Sequence, residues 1–289
     1  MKQHSSEFPV VKMAEVLKVS RSGYYDWLKG REGKRKKENR ELKVEIARIH
    51  RENKEVYGSP RITGVLRNEG RTVSITRVAR LMKEEGLRAK TKKAYKATTD
   101  SKHNKKISPN LLERDFTVYR PNQVWVSDIT YIATKEGWLY LCVIIDLFSR
   151  MVVGWTVDRT LNRSLVINAL KRAYFRRRPG PGLLFHSDRG SQYCSDDFRK
   201  VLKQYKMIQS MSRKGDCWDN APSESFFGTL KNEAIYYRPM YETRAEGKNC
   251  LFEHIELFYN GRRLHSTLGQ VSPLTFEKRW REQYERSAA

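Results

Sequence analysis

Apolar residues recur every three or four positions along the first third of the chain, which is the spacing of one buried face on an α-helix. This spacing predicts two short helices over residues 13–17 and 20–28, joined by a tight turn, and a longer helix over 36–53. The layout then recurs, with Ser59-Pro60 and Ser74 as the predicted starts of two further helices. The pattern indicates an all-α region with two helix-turn-helix layouts.

The second helix of the second pair has a basic face. Its apolar positions point inward, and the opposite positions carry Thr76, Arg77, Arg80 and Lys83. A basic face on the second helix is what docking in the DNA major groove requires, so these four residues are predicted DNA contacts. The alternative is a three-helix packing module whose charges are only solvated.

From residue 122 the pattern changes to a period of two, in which the residues fall into two alternating sets, as is typical of strands. Asn162 and Ser195 are predicted to cap two helices that interrupt the strands. Three antiparallel strands followed by alternating helix and strand predict a mixed sheet covered by helices. The predicted strands are 124–132, 138–147, 151–157, 183–186 and 207–211.

Positive charge is in excess along the whole chain. The 289 residues carry a formal net charge of +24, of which residues 1–120 contribute +16 and residues 121–289 contribute +8. Such an excess favours a polyanion, because each neutralised phosphate releases condensed counterions. Simple solubility and RNA binding are the alternatives. Residues 89–106 hold seven lysines and are predicted to be a linker that can lie along a phosphate backbone.

The sequence argues against several classes of protein. No apolar run approaches the roughly 18 residues that a membrane span needs, and the first residues lack the apolar core of a secretory signal. The cysteines show no CxxC pair and no histidine at zinc spacing, so we expect reduced thiols in a cytoplasmic protein. They are Cys142, Cys194, Cys217 and Cys250.

Three carboxylates occupy three distinct settings. Asp128 lies in the middle of a predicted strand, Asp188 follows a short apolar strand, and Glu224 lies in the first turn of a helix. A mid-strand acid is costly unless it faces a ligand or a partner, and a buried salt bridge is the structural alternative for Asp128. Converging carboxylates are what two Mg²⁺ ions need for phosphodiester displacement. The 35 residues between the last two acids are not specific alone, because acids are common in this chain.

Two further polar residues of the strands have a structural and a functional interpretation. Asp146 is expected to pair near Arg150, with lining of the site as the alternative. His186 is expected to pack in the core, with orientation of Asp188 as the alternative.

The same question arises for polar residues outside the strands. Asp219 and Asn220 are expected to cap the helix of Glu224, with a DNA contact as second choice. A further group either contacts DNA or locks the last helix onto the core, and it comprises Tyr259, Asn260, Arg263 and His265.

Several segments together resemble transposases of the insertion-sequence-three family, whose catalytic cores are related to retroviral integrases. The catalytic-core segments are WVSDITYI, YLCVIIDLFSR, HSDRGSQY, DNAPSESFFGTLKNE and YNGRRLHSTLGQVSP. VYGSPRITGVLR and VSITRVARLMKEEGL resemble that family's helix-turn-helix segment. The resemblance covers essentially the whole chain. It implies an α/β ribonuclease-H-like core, with a mixed five-stranded sheet and helices on both faces, preceded by an all-α helix-turn-helix region.

The resemblance also implies site residues. The family's Asp, Asp, Glu triad matches Asp128, Asp188 and Glu224, which are then both the catalytic residues and the ligands of two Mg²⁺ ions, for which Mn²⁺ can substitute. A basic residue seven places after the glutamate matches Lys231. Seven residues turn an α-helix by about 700°, so Lys231 shares the face of Glu224 and is a predicted DNA contact.

The implied organisation has four parts: a first helix-turn-helix and connecting helix (1–55), a second helix-turn-helix (56–88), a basic linker (89–120), and an integrase-like core with a helical extension (121–289). The zinc module of retroviral integrases is absent from the sequence, so recognition of DNA ends is expected to depend on the helix-turn-helix region.

The implied function is that of a DNA transposase, a metal-dependent polynucleotidyl transferase of the Asp-Asp-Glu (DDE) type. It binds the ends of an insertion sequence and catalyses 3′-end cleavage and strand transfer. We expect a homo-multimer on double-stranded DNA in the bacterial cytoplasm, associated with the nucleoid and not with a membrane, and an upstream reading frame that supplies a partner protein. The alternatives are a non-catalytic DNA-binding regulator and a structure-specific nuclease of the same fold.

Overall fold

The computed structural model describes residues 1–30, 33–90, 107–213 and 217–288. The chain divides into two compact units, Met1–Ala89 and Lys90–Ala289. Among the described residues, no helix is long and apolar enough to cross a membrane.

The first unit is entirely helical, as predicted. Its helices bury one apolar face each, with Ile46, Ile62, Leu66 and Leu81 fully inaccessible to water. A short 3₁₀ turn, Lys2–His4, precedes them. The helices are α1 (Val10–Val16), α2 (Arg21–Leu28), α3 (Lys34–Glu52), α4 (Ser59–Asn68) and α5 (Ile75–Glu84).

The helix starts in this unit follow the predicted capping in two of three cases. The Ser20 hydroxyl accepts a hydrogen bond from the Gly23 amide, and the Ser74 hydroxyl accepts one from the Arg77 amide. The prediction for α4 was wrong by one residue, because Gly58 is its N-cap and Ser59 is already helical. The Ser59 carbonyl instead accepts a hydrogen bond from the Thr63 hydroxyl.

The second unit contains the predicted mixed five-stranded sheet. The strands lie in the order β3-β2-β1-β4-β5, with β1, β2 and β3 antiparallel and with β4 parallel to both β1 and β5. The strand ends differ from the predicted ones by one or two residues. The strands are β1 (Val124–Thr134), β2 (Gly137–Asp146), β3 (Val152–Asp158), β4 (Leu184–Ser187) and β5 (Ile208–Met211).

Helices cover both faces of the sheet, which confirms the predicted layers. Alternation along β1 sends Val126 to one core, shared with Phe226 and Leu230, and sends Trp125 to the other, shared with Leu165. The helices are α6 (Arg163–Arg177), α7 (Asp196–Gln204), α8 (Ala221–Leu230), α9 (Arg244–Phe252) and α10 (Pro273–Ala288). Two π-helical segments, Lys231–Ile235 and Glu253–Tyr259, continue α8 and α9.

The segment 107–120 differs from the linker predicted over 89–120. Leu112 is buried in the core under α8, and the Leu111 and Leu112 amides donate to the Ser210 hydroxyl of β5. The segment folds against the sheet because its apolar residues bury their side chains in this core. Residues 91–106, with most of the predicted lysine-rich stretch, lie outside the described residues.

Candidate active site

Two aspartates stand side by side where two parallel strands run together. Strand β1 pairs with β4 as far as Ser127, which lies opposite Ser187. An aspartate follows each of these serines in the sequence: Asp128 follows Ser127, and Asp188 follows Ser187. Because side chains alternate along a strand, Asp128 faces the same side as Val126, which is the side covered by α8. The sheet register therefore brings together two residues that are 60 positions apart in the sequence.

Backbone amides fix one oxygen of each aspartate. The Ile129 amide donates to Asp128 Oδ1 at 2.7 Å, and the Gly190 amide donates to Asp188 Oδ1 at 2.9 Å. A Cβ atom at Gly190 would lie 3.0 Å from that same Asp188 oxygen. A side chain at this position would therefore crowd the carboxylate.

The electrostatic coupling of the acids is strong. Burial raises the pKa of Asp128 well above its usual range, and the negative charges of Asp188 and Glu224 raise it further. The amide of Ile129 and the ammonium of Lys231 act in the opposite direction. Desolvation also raises the pKa of Glu224. Clustered carboxylates of this kind repel one another, and a bound cation would relieve the repulsion.

Helix α8 brings Glu224 and Lys231 to the aspartates. Glu224 lies in its first turn, and Lys231 lies at the start of the π-helical segment that follows. Both charges act on Asp128, as expected for residues on the sheet-facing side of this helix. Lys231 is buried, and desolvation lowers the pKa of its ammonium to about 8, although Asp128 partly opposes that shift.

The carboxylates have the chemistry of a magnesium site. Hard cations such as Mg²⁺ take oxygen ligands, and Asp128, Asp188 and Glu224 offer carboxylate oxygens only. Within the described residues, no group of three or more His, Cys, Asp or Glu side chains is arranged so that it could hold a metal ion. The fit therefore depends on the adjacent aspartates and on the electrostatic coupling of Glu224 to Asp128.

A buried hydrogen bond links the segments that carry the two aspartates, and the sequence reasoning missed it. The Ser127 hydroxyl, directly before Asp128, lies 2.8 Å from the hydroxyl of Tyr193, five residues after Asp188. Both residues are buried on the sheet face opposite Asp128. A serine within this strand was the available signal, since buried hydroxyls need partners.

Asp146 has a structural role, but its predicted partner was wrong. It lies opposite Trp125 in the strand register, on the face covered by α6, and pairs with Arg177 of that helix at 3.4 Å instead of with Arg150. Its carboxylate also accepts the Asn122 and Phe148 amides. Asp146 and Asp128 therefore project from opposite faces of the sheet.

His186 packs in the core, as favoured from the sequence. It is fully buried, its Nδ1 lies 2.8 Å from the Ser210 hydroxyl, and burial lowers its pKa to about 4. The imidazole is therefore neutral near pH 7. Asp188 Oδ1 accepts its hydrogen bond from the Gly190 amide and not from this imidazole.

The predicted capping of the Glu224 helix is confirmed for the position of Asn220 but was wrong for Asp219 and for the side-chain bond. Asn220 occupies the N-cap position of α8 without a side-chain cap hydrogen bond. Asp219 is buried and instead accepts hydrogen bonds from Asn110, Arg114 and Arg213. The Arg213 guanidinium holds the pKa of Asp219 well below its usual range.

The C-terminal polar residues lock the last helices onto the core. The Asn260 amide side chain bonds both the amide and the carbonyl of Val152 in β3, at 2.9 and 3.0 Å. Arg263 binds Glu233 with two nitrogens, and both side chains are buried. The two remaining residues of this group, Tyr259 and His265, are buried and pack edge to face.

The predicted DNA-contact residues of α5 lie in the first unit. Arg77 is half-buried and bonds Glu38 and Asn39 of α3. Arg80 pairs with Glu84 one turn later along its own helix. Thr76 and Lys83 are exposed.

Comparison with protein families gives three matches along this chain. The Integrase core domain model matches residues 118–217, a second Integrase core domain model matches residues 224–280, and the HTH-like domain model matches residues 36–95. The integrase models together span the sheet, α8 and the C-terminal helices, and the HTH-like model spans α3 to α5.

Two curated relatives match over nearly the whole chain. The Insertion element IS600 uncharacterized 31 kDa protein of Shigella sonnei is 46% identical, over 96% of this chain and 100% of that protein. Transposase InsF for insertion sequence IS3A of Escherichia coli K12 is 39% identical, over 96% of this chain and 97% of that protein.

Solved structures that align with this chain include integrases. The HTLV-2 integrase catalytic core domain, in a structure with magnesium, aligns with a TM-score of 0.41 and 19% identity over 54% of this chain and 97% of that chain. A simian T-cell lymphotropic virus intasome in complex with PP2A regulatory subunit B56 gamma aligns with a TM-score of 0.45 and 17% identity, over 80% of this chain and 74% of that chain.

Proposed function

Because the chain belongs to the insertion-sequence-three (IS3) family of transposases, we propose that it binds the ends of an insertion sequence and catalyses Mg²⁺-dependent 3′-end cleavage and strand transfer. The observation that carries this proposal is the juxtaposition of Asp128 and Asp188 on adjacent parallel strands, with the charge of Glu224 acting on Asp128 from α8. A fold that only bound DNA would have no need for this costly cluster of acids.

The three carboxylates are proposed as both the catalytic residues and the metal ligands. Together these carboxylates would hold two ions. Mg²⁺ would be the cofactor, and Mn²⁺ would be able to replace it, since both are hard cations that accept oxygen ligands. When bound, the ions supply activation of the attacking oxygen and stabilisation of the leaving oxygen.

The proposed chemistry has two displacements. Water attacks the phosphodiester at the end of the element and breaks its bond to the 3′ oxygen, which leaves as a 3′-OH. That 3′-OH then attacks a phosphodiester of the target DNA, and the target's own 3′ oxygen leaves. No covalent bond to the protein forms in either step.

The chain's own residues would position the substrate. The amides of Ile129 and Gly190 keep one oxygen of each aspartate fixed before DNA arrives. Lys231, whose ammonium acts on Asp128, would contact a DNA phosphate beside the carboxylates. Because the pKa of Lys231 is about 8, most Lys231 side chains are protonated at pH 7, so the contact would be ionic.

Recognition of the element ends would belong to the first unit. The exposed Thr76 and Lys83 of α5 are proposed to contact DNA directly. Arg77 and Arg80 would join them by exchanging their carboxylate partners for phosphates. The family's activity on two DNA ends further suggests a homo-multimer that acts on nucleoid DNA in the bacterial cytoplasm. The upstream-frame partner stays a prediction of the family resemblance.

A strand-transfer assay tests the catalytic proposal. A labelled element end and a target plasmid are incubated with the full chain in Mg²⁺ or in EDTA. We expect joined product only with Mg²⁺, and none with Asp188→Asn. Asp158→Asn, which changes an aspartate at the end of β3, is the matched control and should still join DNA.

The remaining outcomes of this assay identify the rival functions. Nicking without joining would indicate a structure-specific nuclease. Tight binding without nicking or joining would indicate a regulator, and joining by Asp188→Asn would refute the proposed site.

A salt titration of DNA binding tests the role of α5. Each lost phosphate contact reduces the slope of log K against log salt by about 0.9. We expect that reduction for Lys83→Gln and not for Lys12→Gln in α1, which lies outside the HTH-like match. Equal slopes for the two variants would refute the assignment of Lys83.

A further inference from the structure

A cleft of about 470 Å³ lies against the edge of β1. Alternation along the strands puts Tyr131 and Trp138 on the sheet face opposite Asp128, whereas Ile132 and Lys231 come from the face of Asp128, so the cleft is lined from both faces at this edge. One wall comes from the β1–β2 hairpin and includes Tyr131 and Trp138. The other wall comes from the chain after α8 and includes Arg238 and Met240. Lys231 lines the cleft and also acts electrostatically on Asp128, so the cleft and the candidate active site share a residue.

The topology of the sheet leaves room for this cleft. Strand β4 pairs with β1 only over Val124–Ser127, and β1 continues for seven residues beyond that point. In the part of the chain that the structure describes, no strand of the sheet covers this edge along residues 128–133. An isolated bridge between Thr134 and Tyr241 closes the far end.

The cleft exposes two aromatic rings. Tyr131 and Trp138 are 36% and 50% exposed, and their rings pack edge to face with centroids 5.1 Å apart. This packing holds both rings in place and leaves surface available for stacking. Aromatic rings bind nucleobases in this way with little regard to sequence, because every base has a π face.

The cleft also carries positive charge. The Arg238 guanidinium lies over the Tyr241 ring at 4.2 Å and pairs with Glu246 at 2.6 Å, so its position is fixed. Lys231, whose charge acts on Asp128, supplies a second cation. Aromatic rings interleaved with cations are the usual composition of a site for single-stranded nucleic acid.

We propose that this cleft receives one unpaired nucleotide of the DNA strand held at the carboxylates, with its base stacked on Trp138 and Tyr131 and its phosphate near Lys231. The inference rests on the proposed function, since it assumes that DNA is the substrate. The volume lies in the range of small-ligand sites. A base can fill such a recess only after it has left the duplex stack, so the cleft favours a frayed DNA end over a fully paired one.

A binding comparison tests this inference with the full chain in EDTA, where no strand is cut. Two duplexes carry the same element end, one fully paired and one with unpaired terminal nucleotides. We expect the wild type to bind the frayed duplex about tenfold more tightly, the size of one base–aromatic stack. Trp138→Ala should bring the ratio of the two dissociation constants close to one. Trp138→Phe should keep most of the preference, because the ring remains.

Phe175→Ala is the matched control, because it removes an exposed ring from α6 in the same unit. It should leave the ratio unchanged. A 2-aminopurine at the unpaired position gives an independent signal, since stacking on Trp138 quenches its fluorescence in the wild type and not in Trp138→Ala.

Two results would overturn the inference: equal binding of both duplexes by the wild type, or an unchanged preference in Trp138→Ala. Equal binding of the two duplexes would indicate that the cleft receives a protein side chain and not a nucleotide. Because the test needs no catalysis, its result is independent of the joining assay. Joining without a preference for frayed ends would remove the cleft's role and leave the transposase proposal intact. A preference for frayed ends without joining would support the role of the cleft and contradict the transposase proposal.

Discussion

The hydrogen bond between Ser127 and Tyr193 has a direction that can be deduced and tested. The single hydroxyl proton of Ser127 is donated to the Val143 carbonyl at 2.8 Å. The bond between the two hydroxyls, also 2.8 Å long, must therefore use the proton of Tyr193. Burial raises the pKa of Tyr193 well above its usual range, so that proton is present throughout the neutral range.

This direction predicts unequal costs for removing the two partners. Tyr193→Phe deletes the donor and leaves Ser127 bonded to Val143, so the free energy of unfolding should fall by about 1 kcal/mol. Ser127→Ala deletes the acceptor and leaves a buried phenol hydroxyl whose nearest alternative is the Cys142 sulfur at 3.7 Å, a weak acceptor. Its cost should be about 2–3 kcal/mol. The double variant should cost less than the sum, because the phenol hydroxyl that Ser127→Ala leaves unpaired is then absent.

Urea unfolding of the four proteins measures these free energies, and the midpoint shifts give the differences if the slopes agree. A loss in Tyr193→Phe that equals or exceeds the loss in Ser127→Ala would refute the deduced direction. Strict additivity in the double variant would refute the bond itself.

The same bond predicts an effect on activity, because it joins the chain next to Asp128 to the loop after Asp188. Tyr193→Phe should need more Mg²⁺ for half-maximal strand transfer than the wild type. Ser272→Ala removes a hydroxyl that accepts the Thr275 amide at the start of α10, at a comparable cost of about 1 kcal/mol. It should leave the Mg²⁺ requirement unchanged. Equal shifts in both variants would show that general destabilisation is the cause.

Three further predictions concern buried charges. Arg177→Met leaves Asp146 and Glu277 buried without their shared cation, so thermal unfolding should show a loss of about 3–5 kcal/mol; a loss below 1 kcal/mol would contradict this. Burial raises the pKa of Asp146 to about 6, so the folded state holds its proton longer than the unfolded state. The wild type's free energy of unfolding should therefore fall as the pH rises from about 4 to about 6, and Asp146→Asn should lack this part of the decrease. Parallel pH profiles of the two proteins would refute the shift. Arg263→Lys should also destabilise the fold in urea unfolding, because a lysine cannot bind Glu233 with two nitrogens, and an unchanged midpoint would contradict the contact.

The sheet and the segments of the proposed triad could be predicted from the sequence because their signals are local. A period of two marks β1, and the placement of Asp128 within it follows from the same period. The predicted capping residues Ser20, Ser74, Asn162 and Ser195 also act locally, and each accepts a hydrogen bond from the amide three positions later. Local rules of this kind need no knowledge of the tertiary fold.

The partners of the other buried charges could not be predicted, because they are distant in the sequence. Asp146 meets Arg177 only because α6 crosses back over the sheet, 31 residues later. Asp219 meets Arg114 across 105 residues. Spacing along one sequence does not indicate such contacts, and the nearest residue of opposite charge is a poor substitute, as Arg150 shows for Asp146.

The Asp219 cluster changes how the third carboxylate is held in place. Asp128 and Asp188 are placed by strand register, but Glu224 lies on a helix that follows a loop and pairs with no strand. Asp219, just before that helix, is tied to Arg213 after β5 and to Asn110 and Arg114 in the segment that the sequence assigned to a linker. These bonds join the turn before α8 to the segment after β5 and to the segment before β1. The position of Glu224 relative to the aspartates therefore depends on residues before the first strand, and a boundary at residue 120 would separate the third carboxylate from part of its support.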